Sequence, residues 1–207
     1  MAILVIGGQS RSVGKTSVVA GLIARMPELR WTAFKITQYG HGFCTADGQP
    51  CQCQTADSCV SLTAERDADS GTDTSRFLAA GAARSLWVRT RIGMLAEAMP
   101  RIREELVRSE NAILESNSIL DFLQPDLYFT VLDPTVVDFK PSALRHLTRA
   151  DAALIAAADK PSGSLAPPIH EALDSKPHFI VAPPTYISDE LVAFVRNRLL
   201  TNAPASR

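Results

Sequence analysis

The sequence predicts a three-layer α/β fold, in which a mostly parallel sheet of about seven strands carries helices on both faces. Short apolar segments alternate with longer amphipathic ones along the 207 residues, which is the pattern of such a sheet. An apolar content of 46% is enough to bury a substantial core, and no internal repeat or linker interrupts the chain. We therefore expect a single domain over 1–207. The predicted strands are 2–6, 31–36, 86–88, 111–114, 127–132, 153–157 and 179–181.

Amphipathic segments between the predicted strands are expected to form the helices. In the first, 15–24, the apolar residues are spaced so that they share the face that would pack on the sheet. Pro100 is expected to kink or divide the predicted helix 92–108. The later helices are predicted at 74–83, 92–108, 142–148 and 188–200, with a short helical or turn segment at 119–123.

The segment 38–70 has no sustained hydrophobic period and contains Gly, Pro, Asp and every cysteine of the chain. We expect it to be a long loop or insertion within the domain, and loops of that length are often functional.

The charge balance argues against highly charged partners. The chain has 21 Lys and Arg residues against 22 Asp and Glu, which gives a formal net charge of −1. Such a balance favours neither nucleic acid nor an anionic membrane as a partner. No segment approaches the roughly 20 apolar residues that cross a bilayer, and the apolar start lacks the basic lead of a signal peptide. We expect a cytoplasmic protein.

A glycine-rich segment, GGQSRSVGKTS at 7–17, joins the first predicted strand to the first helix. Glycines let the backbone turn so that its N–H groups point inward, and the dipole of the following helix adds to the attraction for anions. Lys15 is expected to reach the β- and γ-phosphates, and Thr16 to offer its hydroxyl to Mg²⁺. This context predicts a P-loop NTPase fold that binds a nucleoside triphosphate, although five residues instead of four separate Gly8 from GKT. The expected nucleotide contacts are Gly8, Gln9, Ser10, Arg11, Ser12, Val13, Gly14, Lys15, Thr16 and Ser17.

A carboxylate at the end of a buried strand normally completes the magnesium site of such proteins. Glu115 follows the strand 111–114 at the carboxyl edge of the sheet, where ligands bind, so we expect it to hold Mg²⁺. The alternative is a helix cap or a surface acid. Asp133 ranks second because Asp-Pro is a common turn opener, and Asp47 ranks third.

Basic residues near the same edge are candidates for contacts with a phosphoryl group. Lys35 ends a strand on the ligand side, where it can neutralise charge on a transferred phosphoryl group, or it is a solvated strand-end lysine. A basic stretch either receives a polyanionic substrate or forms a solvated face. It comprises Arg76, Arg84, Arg89 and Arg91.

All four cysteines fall within 44–59. Four thiolates can hold tetrahedral Zn²⁺ or an iron–sulfur cluster, but the paired C-x-x-C spacing is absent. The alternatives are reduced cysteines in a loop and a redox-labile pair, and His41 can replace one thiolate. A bound metal would order the long loop near the nucleotide. The cysteines are Cys44, Cys51, Cys53 and Cys59.

The spacing in GQSRSVGKT resembles the loop of dethiobiotin synthetases. The segments KITQYGH at 35–41 and DTSRFLAAGA at 73–82 resemble motifs of the B protein of molybdopterin-guanine dinucleotide biosynthesis (MobB). The likeness covers 2–83, and the remainder matches only in layout. It implies a parallel-sheet P-loop fold, Mg²⁺ and a homodimer. It also implies that Lys35 lies near the transferred phosphate and that Asp73 faces the nucleotide.

The nucleotide is predicted to be ATP or GTP. The likeness to MobB favours GTP, whereas the prolines at 183–184 resemble the loop that flanks adenine in dethiobiotin synthetases. The leading hypothesis is a Mg²⁺-dependent enzyme of cofactor biosynthesis that hydrolyses the triphosphate or transfers a phosphoryl group to a small molecule. One alternative is a nucleotide-dependent binding or delivery protein without turnover. The other is a metal or redox sensor that works through the cysteines.

Overall fold

The structure, a computed structural model, describes residues 1–40, 60–157 and 166–201, with backbone only for the last two. Eight strands and six α-helices occur in these ranges. In chain order they are β1 (Ile3–Gly8), α1 (Lys15–Arg25), β2 (Trp31–Tyr39), β3 (Val60–Ala64), α2 (Asp73–Ala79), β4 (Arg84–Arg91), α3 (Leu95–Val107), β5 (Asn111–Glu115), β6 (Leu127–Leu132), α4 (Pro141–His146), β7 (Ala152–Ala156), α5 (Pro167–Leu173), β8 (His178–Val181) and α6 (Asp189–Thr201). Short 3₁₀ turns occupy Pro27–Leu29, Ser118–Asp121 and Leu147–Arg149.

The strands form one sheet in the order β3-β4-β2-β5-β1-β6-β7-β8. Every neighbouring pair is parallel except β3 with β4, which is antiparallel. The predicted α/β fold with a mostly parallel sheet is confirmed. Because β1 lies between β5 and β6, the loop that follows β1 leaves the sheet from its interior.

Helices cover both faces of the sheet, which gives three layers. On one face, apolar side chains of α1, α2 and α6 pack against alternate residues of the strands, with Leu22, Phe77 and Val195 fully buried. On the other face, α3 and α5 cover the remaining strand residues, with Ile102 and Leu173 fully buried. Because helices cover both faces of the sheet, strand residues that point to either face are buried, which explains why the strands are apolar on both sides.

The predicted loop over 38–70 is wrong at two places. β2 continues to Tyr39, and Val60–Ala64 forms the antiparallel edge strand β3. Val60 and Leu62 pack on the side of α3, and the polar residues Ser61 and Thr63 alternate with them along the strand. Five residues of period-two alternation are too short to stand out within a long polar segment, and the eighth strand was missed for that reason.

Two expectations about helices are also corrected. Of the two effects expected of Pro100, division does not occur, because Leu95–Val107 is one continuous helix that contains this proline. The helix Pro167–Leu173 was not predicted. In the described part of the chain, no helix is long and apolar enough to cross a membrane.

Candidate phosphate-binding site

The glycine-rich loop joins β1 to α1, as predicted. α1 begins at Lys15, and Gly14 immediately before it has a φ of 94°, in the left-handed region that favours glycine. The N–H of Val18 donates to the carbonyl of Gly14 at 3.0 Å and closes the first turn of the helix. The N–H groups of the preceding residues are therefore at the positive end of the helix dipole, where an anion is stabilised.

The segment that follows β8 packs against this loop and against α1. A Cβ added to Gly14 would lie 2.7 Å from the ring of Tyr186, so the ring contacts the loop backbone directly. Gly21, one to two turns further along α1, permits an equally close approach of Thr185 and Ile187. The two glycines thus allow the chain after the last parallel strand to lie directly on the loop and its helix.

Lys15 is folded onto the loop. Its Nζ donates to the carbonyl oxygen of Ser10 at 2.5 Å. Burial lowers the pKa of Lys15 to about 8, and the positive charges of Lys140 and Lys35 act in the same direction, while Glu115 opposes them. An ammonium in such surroundings is stabilised by any anion that replaces the carbonyl.

Four predicted site residues converge beside Lys15. Lys35 Nζ lies 2.7 Å from Glu115 Oε1 and 2.6 Å from Asp73 Oδ2. The hydroxyl of Thr16 donates to Glu115 Oε2 at 2.9 Å. Glu115 is only 3% exposed, so its charge is compensated by Lys35 and not by solvent. Burial disfavours the charge on Lys35, but Glu115 and Asp73 outweigh burial and raise the pKa of Lys35.

The strand register explains how Lys35 and Glu115 meet. They are direct partners in the pairing of β2 with β5, so their side chains emerge on the same face of the sheet. Glu115 is the last residue of β5, as expected for a ligand-side carboxylate, and it is neither a helix cap nor a surface acid.

Asp73 reaches Lys35 from the start of α2. Thr72 caps this helix by accepting a hydrogen bond from the N–H of Ser75 at 3.0 Å. Glu65 holds the segment before the helix, because its carboxylate accepts hydrogen bonds from Thr72 and Thr74, each at 2.9 Å. The position of Asp73 therefore depends on a carboxylate that does not itself belong to the cluster.

Asn117 clamps the end of β1, a role that was not predicted. Its Oδ1 accepts from the N–H of Gly8 at 2.8 Å, and its Nδ2 donates to the carbonyl of Gly8 at 2.9 Å. Only an amide side chain can donate and accept in this way, which distinguishes it from the serines on either side. The signal was present in the ESNS segment at 115–118, which begins with the candidate acid.

Gln9 attaches the loop to the segment 133–140. Gln9 Oε1 accepts from the N–H of Asp133 at 3.0 Å, and Nε2 donates to the carbonyl of Val136. The backbone N–H of Lys140 donates to the carbonyl of Gln9 at 2.9 Å. The carboxylate of Asp133 accepts from the N–H and hydroxyl of Thr135, so it stabilises a turn and does not face the cluster.

Other predicted residues have different surroundings. Val13 is 2% exposed and packs in the core, so only its backbone is available to a ligand. The hydroxyl of Ser17 accepts from Arg76 at 3.0 Å. The hydroxyl of Ser10 donates to the carbonyl of Arg11 at 3.0 Å, and Ser12 is exposed with a φ of 58°.

Three arginines of the basic stretch have separate partners. Arg84 pairs with Glu105 at 2.5 Å on the side of α3. The guanidinium of Arg89 lies 4.7 Å from the ring centroid of Trp87. These two and Arg76 are thus engaged separately, which argues against a common polyanion site.

The donor set at Thr16 and Glu115 fits Mg²⁺, which prefers oxygen ligands and in triphosphate sites also takes phosphate oxygens. Within 1–40, 60–157 and 166–201, no group of three or more His, Cys, Asp or Glu side chains is arranged to hold a metal ion. The predicted Zn²⁺ or iron–sulfur ligands and Asp47 lie outside these residues. The cysteines concerned are Cys44, Cys51, Cys53 and Cys59.

A central parallel strand, a glycine-containing loop and a helix that begins with lysine and threonine form the strand–loop–helix unit of this α/β fold. No protein-family model matches the chain, and no curated protein matches it. HypB from Helicobacter pylori in complex with nickel is a similar solved structure, with 14% identity, 97% of this chain and 86% of that chain covered, and a TM-score of 0.49. LpxK from Aquifex aeolicus in complex with ATP is similar over 87% of this chain and 53% of that chain, with 14% identity and a TM-score of 0.49. The chemistry of the site therefore rests on this chain's own residues.

Proposed function

We propose that this chain binds a nucleoside triphosphate together with Mg²⁺ and hydrolyses it or transfers its terminal phosphoryl group. The observation that supports this function is the convergence of Lys15, Thr16, Lys35 and Glu115 where the loop meets α1. The cluster combines an ammonium group for the phosphates, two oxygen ligands for a metal and a second ammonium group at the same edge of the sheet.

Each residue has a defined role in this reaction. The loop N–H groups and the dipole of α1 bind the phosphate chain, and Lys15 exchanges the carbonyl of Ser10 for phosphate oxygens. Thr16 and Glu115 would hold Mg²⁺, which when bound neutralises charge on the terminal phosphates. Lys35, held near Thr16 by the two carboxylates, stabilises charge on the phosphoryl group as it leaves the bridging oxygen.

The proposal also covers the acceptor of the phosphoryl group and the nucleobase. Water or a carboxylate-like small molecule is the proposed acceptor, and the base is that of ATP or GTP. The position of Tyr186 and its neighbours beside Gly14 suits a nucleoside-flanking segment, which agrees with the resemblance of 183–184 to the adenine loop of dethiobiotin synthetases. A place in cofactor biosynthesis, a cytoplasmic location and a homodimer stay predictions from the sequence.

Nucleotide binding by wild type, Lys15→Ala and Lys176→Ala tests the proposal. ATP and GTP are each titrated with and without Mg²⁺. We expect Mg²⁺ to strengthen binding, and Lys15→Ala to weaken it about a hundredfold or more, because several charge-assisted hydrogen bonds are lost. Lys176 precedes β8, at the amino ends of the parallel strands, so its variant should bind like wild type.

Multiple-turnover phosphate release then separates an enzyme from a delivery protein. Release that is stimulated by a small acceptor and lost in Lys15→Ala supports the enzyme. Tight binding without release above background would leave a nucleotide-dependent binding protein. A wild type that binds neither nucleotide overturns the proposal altogether.

A further inference from the structure

Lys140 is a charged residue at the phosphate loop that the proposed reaction does not yet use. Its backbone N–H donates to the carbonyl of Gln9 at 2.9 Å, and its own carbonyl accepts the N–H groups of Ala143 and Leu144 at 2.9 and 3.1 Å. Lys140 is thus fixed both to the start of the loop and to the start of α4. Gln9 adds two side-chain hydrogen bonds to the same segment, at Asp133 and Val136. The position of Lys140 relative to the loop is therefore well defined.

Both cationic and anionic groups act on Lys140. Burial lowers its pKa, and Arg11 and Lys35 lower it further, whereas Asp138 and Glu115 oppose this. Lys140 in turn contributes to the low pKa of Lys15. Because such effects weaken with distance, Lys15, Lys35 and Lys140 lie near one another, beside the loop to which the backbone of Lys140 is bonded.

Anions of the protein compensate only part of this charge. Glu115 and Asp73 are both bonded to Lys35, and Lys15 bonds to a neutral carbonyl. Within the described residues, the ammonium of Lys140 makes no hydrogen bond or ion pair. Asp138 and Glu115 attract this half-buried lysine without bonding to it, while Arg11 and Lys35 repel it. An anion in the space between Lys15, Lys35 and Lys140 would therefore stabilise the ammonium of Lys140 further.

The direction of the loop indicates which phosphate would fill that space. The inner phosphates of a triphosphate lie at the start of the helix, near Lys15 to Ser17, and the terminal phosphate lies toward the metal-side residues. Lys140 is bonded at Gln9, six residues before Lys15 in the chain, and its charge interacts with that of Lys35. Lys140 and Lys35 therefore flank the end of the loop where the terminal phosphate would lie.

We infer that Lys140 contacts the terminal phosphate of the bound triphosphate, so that the site distinguishes a triphosphate from a diphosphate. This inference rests on the proposed nucleotide binding and assigns a contact beyond the usual residues of the loop. Lys15 holds the inner and terminal phosphates alike, whereas Lys140 acts only when the terminal one is present. Loss of the terminal phosphate leaves the ammonium of Lys140 without its partner and favours release of the diphosphate.

The test compares the affinities of a non-hydrolysable triphosphate and of the corresponding diphosphate, both with Mg²⁺, for wild type and Lys140→Met. Methionine keeps most of the aliphatic stem and leaves the backbone bond to Gln9 intact, so the fold should persist. We expect Lys140→Met to weaken triphosphate binding about tenfold or more and to leave diphosphate binding within about twofold. Lys140→Arg should restore part of the preference, and Lys176→Met serves as the matched control.

The outcomes separate this inference from the function on which it rests. If wild type binds both nucleotides and Lys140→Met has the same ratio of triphosphate to diphosphate affinity as wild type, only the role of Lys140 is overturned. If Lys140→Met binds both nucleotides more weakly by the same factor and keeps its melting temperature, the role is also overturned, because Lys140 then acts at the inner phosphates. If wild type binds neither nucleotide, both proposals fail.

Discussion

The ammonium of Lys35 lies 2.7 Å from the carboxylate of Glu115, directly across the pairing of β2 with β5. Glu115 also accepts the hydroxyl of Thr16, so one buried carboxylate connects the strand, the loop helix and the lysine. The proposed function assigns two of these groups, Glu115 and Thr16, to metal binding. The metal dependence of nucleotide binding should therefore respond to Glu115 first.

Glu115→Gln should reduce the strengthening of nucleotide binding by Mg²⁺ about tenfold or more, because a neutral amide is a poorer magnesium ligand. Lys35 keeps Asp73 as a partner at 2.6 Å, so the variant should fold. Calorimetric titrations at several Mg²⁺ concentrations measure the effect. Asp133→Asn is the control, since that carboxylate is used in a local turn with Thr135. An equal loss in both variants contradicts the assignment.

Nucleotide affinity should fall as the pH rises above about 8, because Lys15 must be charged to bind phosphates and its pKa in the free protein is about 8. The decline approaches tenfold per pH unit where free Lys15 is neutral and bound Lys15 is charged. Binding at pH 8.5 should accordingly take up a proton, which is measured by calorimetry in buffers of different ionisation enthalpy. Binding without proton uptake would exclude the low pKa.

The same pKa has a consequence for stability without nucleotide. Because folding lowers the pKa of Lys15 from 10.5 to about 8, the unfolded chain binds more protons than the folded one between these values. The contribution of Lys15 to the free energy of unfolding therefore increases from pH 8 to 10.5. Lys15→Met should show a flatter pH dependence than wild type in this range, measured by urea unfolding.

Asn117→Ala should lower both stability and nucleotide affinity, because the amide bonds to both the N–H and the carbonyl of Gly8. The expected loss of unfolding free energy is about 1–3 kcal/mol. Asn111→Ala is a matched control, since Asn111 bridges Ala2 and Leu29 in the same manner at the opposite end of β5. It should lose similar stability and keep its nucleotide affinity. Loss of affinity in both variants would mean that global stability limits binding.

Gly14→Ala should destabilise the protein more than Gly81→Ala. Both glycines have a positive φ, 94° and 98°, which costs about 1–2 kcal/mol for alanine. A Cβ at Gly81 meets nothing within 4 Å, whereas one at Gly14 lies 2.7 Å from Tyr186. The difference between the two variants in chemical denaturation thus measures the contact between the loop and Tyr186. Equal destabilisation would contradict that contact.

Glu65→Gln should destabilise the protein at neutral pH and have less effect in acid. Backbone and side-chain hydrogen bonds, chiefly from Asp67, Thr72 and Thr74, lower the pKa of Glu65 to about 2. Its stabilising contribution is complete above pH 4.5 and disappears as the pH falls through about 2. The free energy of unfolding, measured with urea at pH 7, 4 and 3, should differ less between variant and wild type as the pH falls. A constant difference would contradict it.

The sequence supplied the parts of the site that depend on local pattern. Lys15 and Thr16 follow from the strand, loop and helix, and Glu115 follows from its place after a buried strand. Asp73 came from motif resemblance, and Lys35 came from its place at the end of a strand together with that resemblance. Their ion pair was not expected, because a contact across 38 positions depends on how α2 and β2 pack.

The missed features depend on tertiary contacts. Asn117 bonds through its side chain to the backbone of Gly8, and Lys140 bonds through its own backbone N–H to Gln9. Both contacts join segments that are more than 100 positions apart in the chain. β3 was missed because its pairing with β4, not its five-residue pattern, makes it a strand. Asp133 illustrates the opposite error. It follows a strand at the edge of the sheet where ligands are expected, but its carboxylate bonds to Thr135 within its own turn.

The central place of β1 affects which motions can disturb binding. Residues 4–6 of β1 have partner strands on both sides, whereas β3 and β8 are at the edges of the sheet. Edge strands can fray without breaking the bonds of the middle strand, and central amides exchange their hydrogens mostly through global unfolding. The anchor of the phosphate loop should therefore stay formed during partial opening of the protein, and nucleotide capture does not have to wait for the sheet to reassemble.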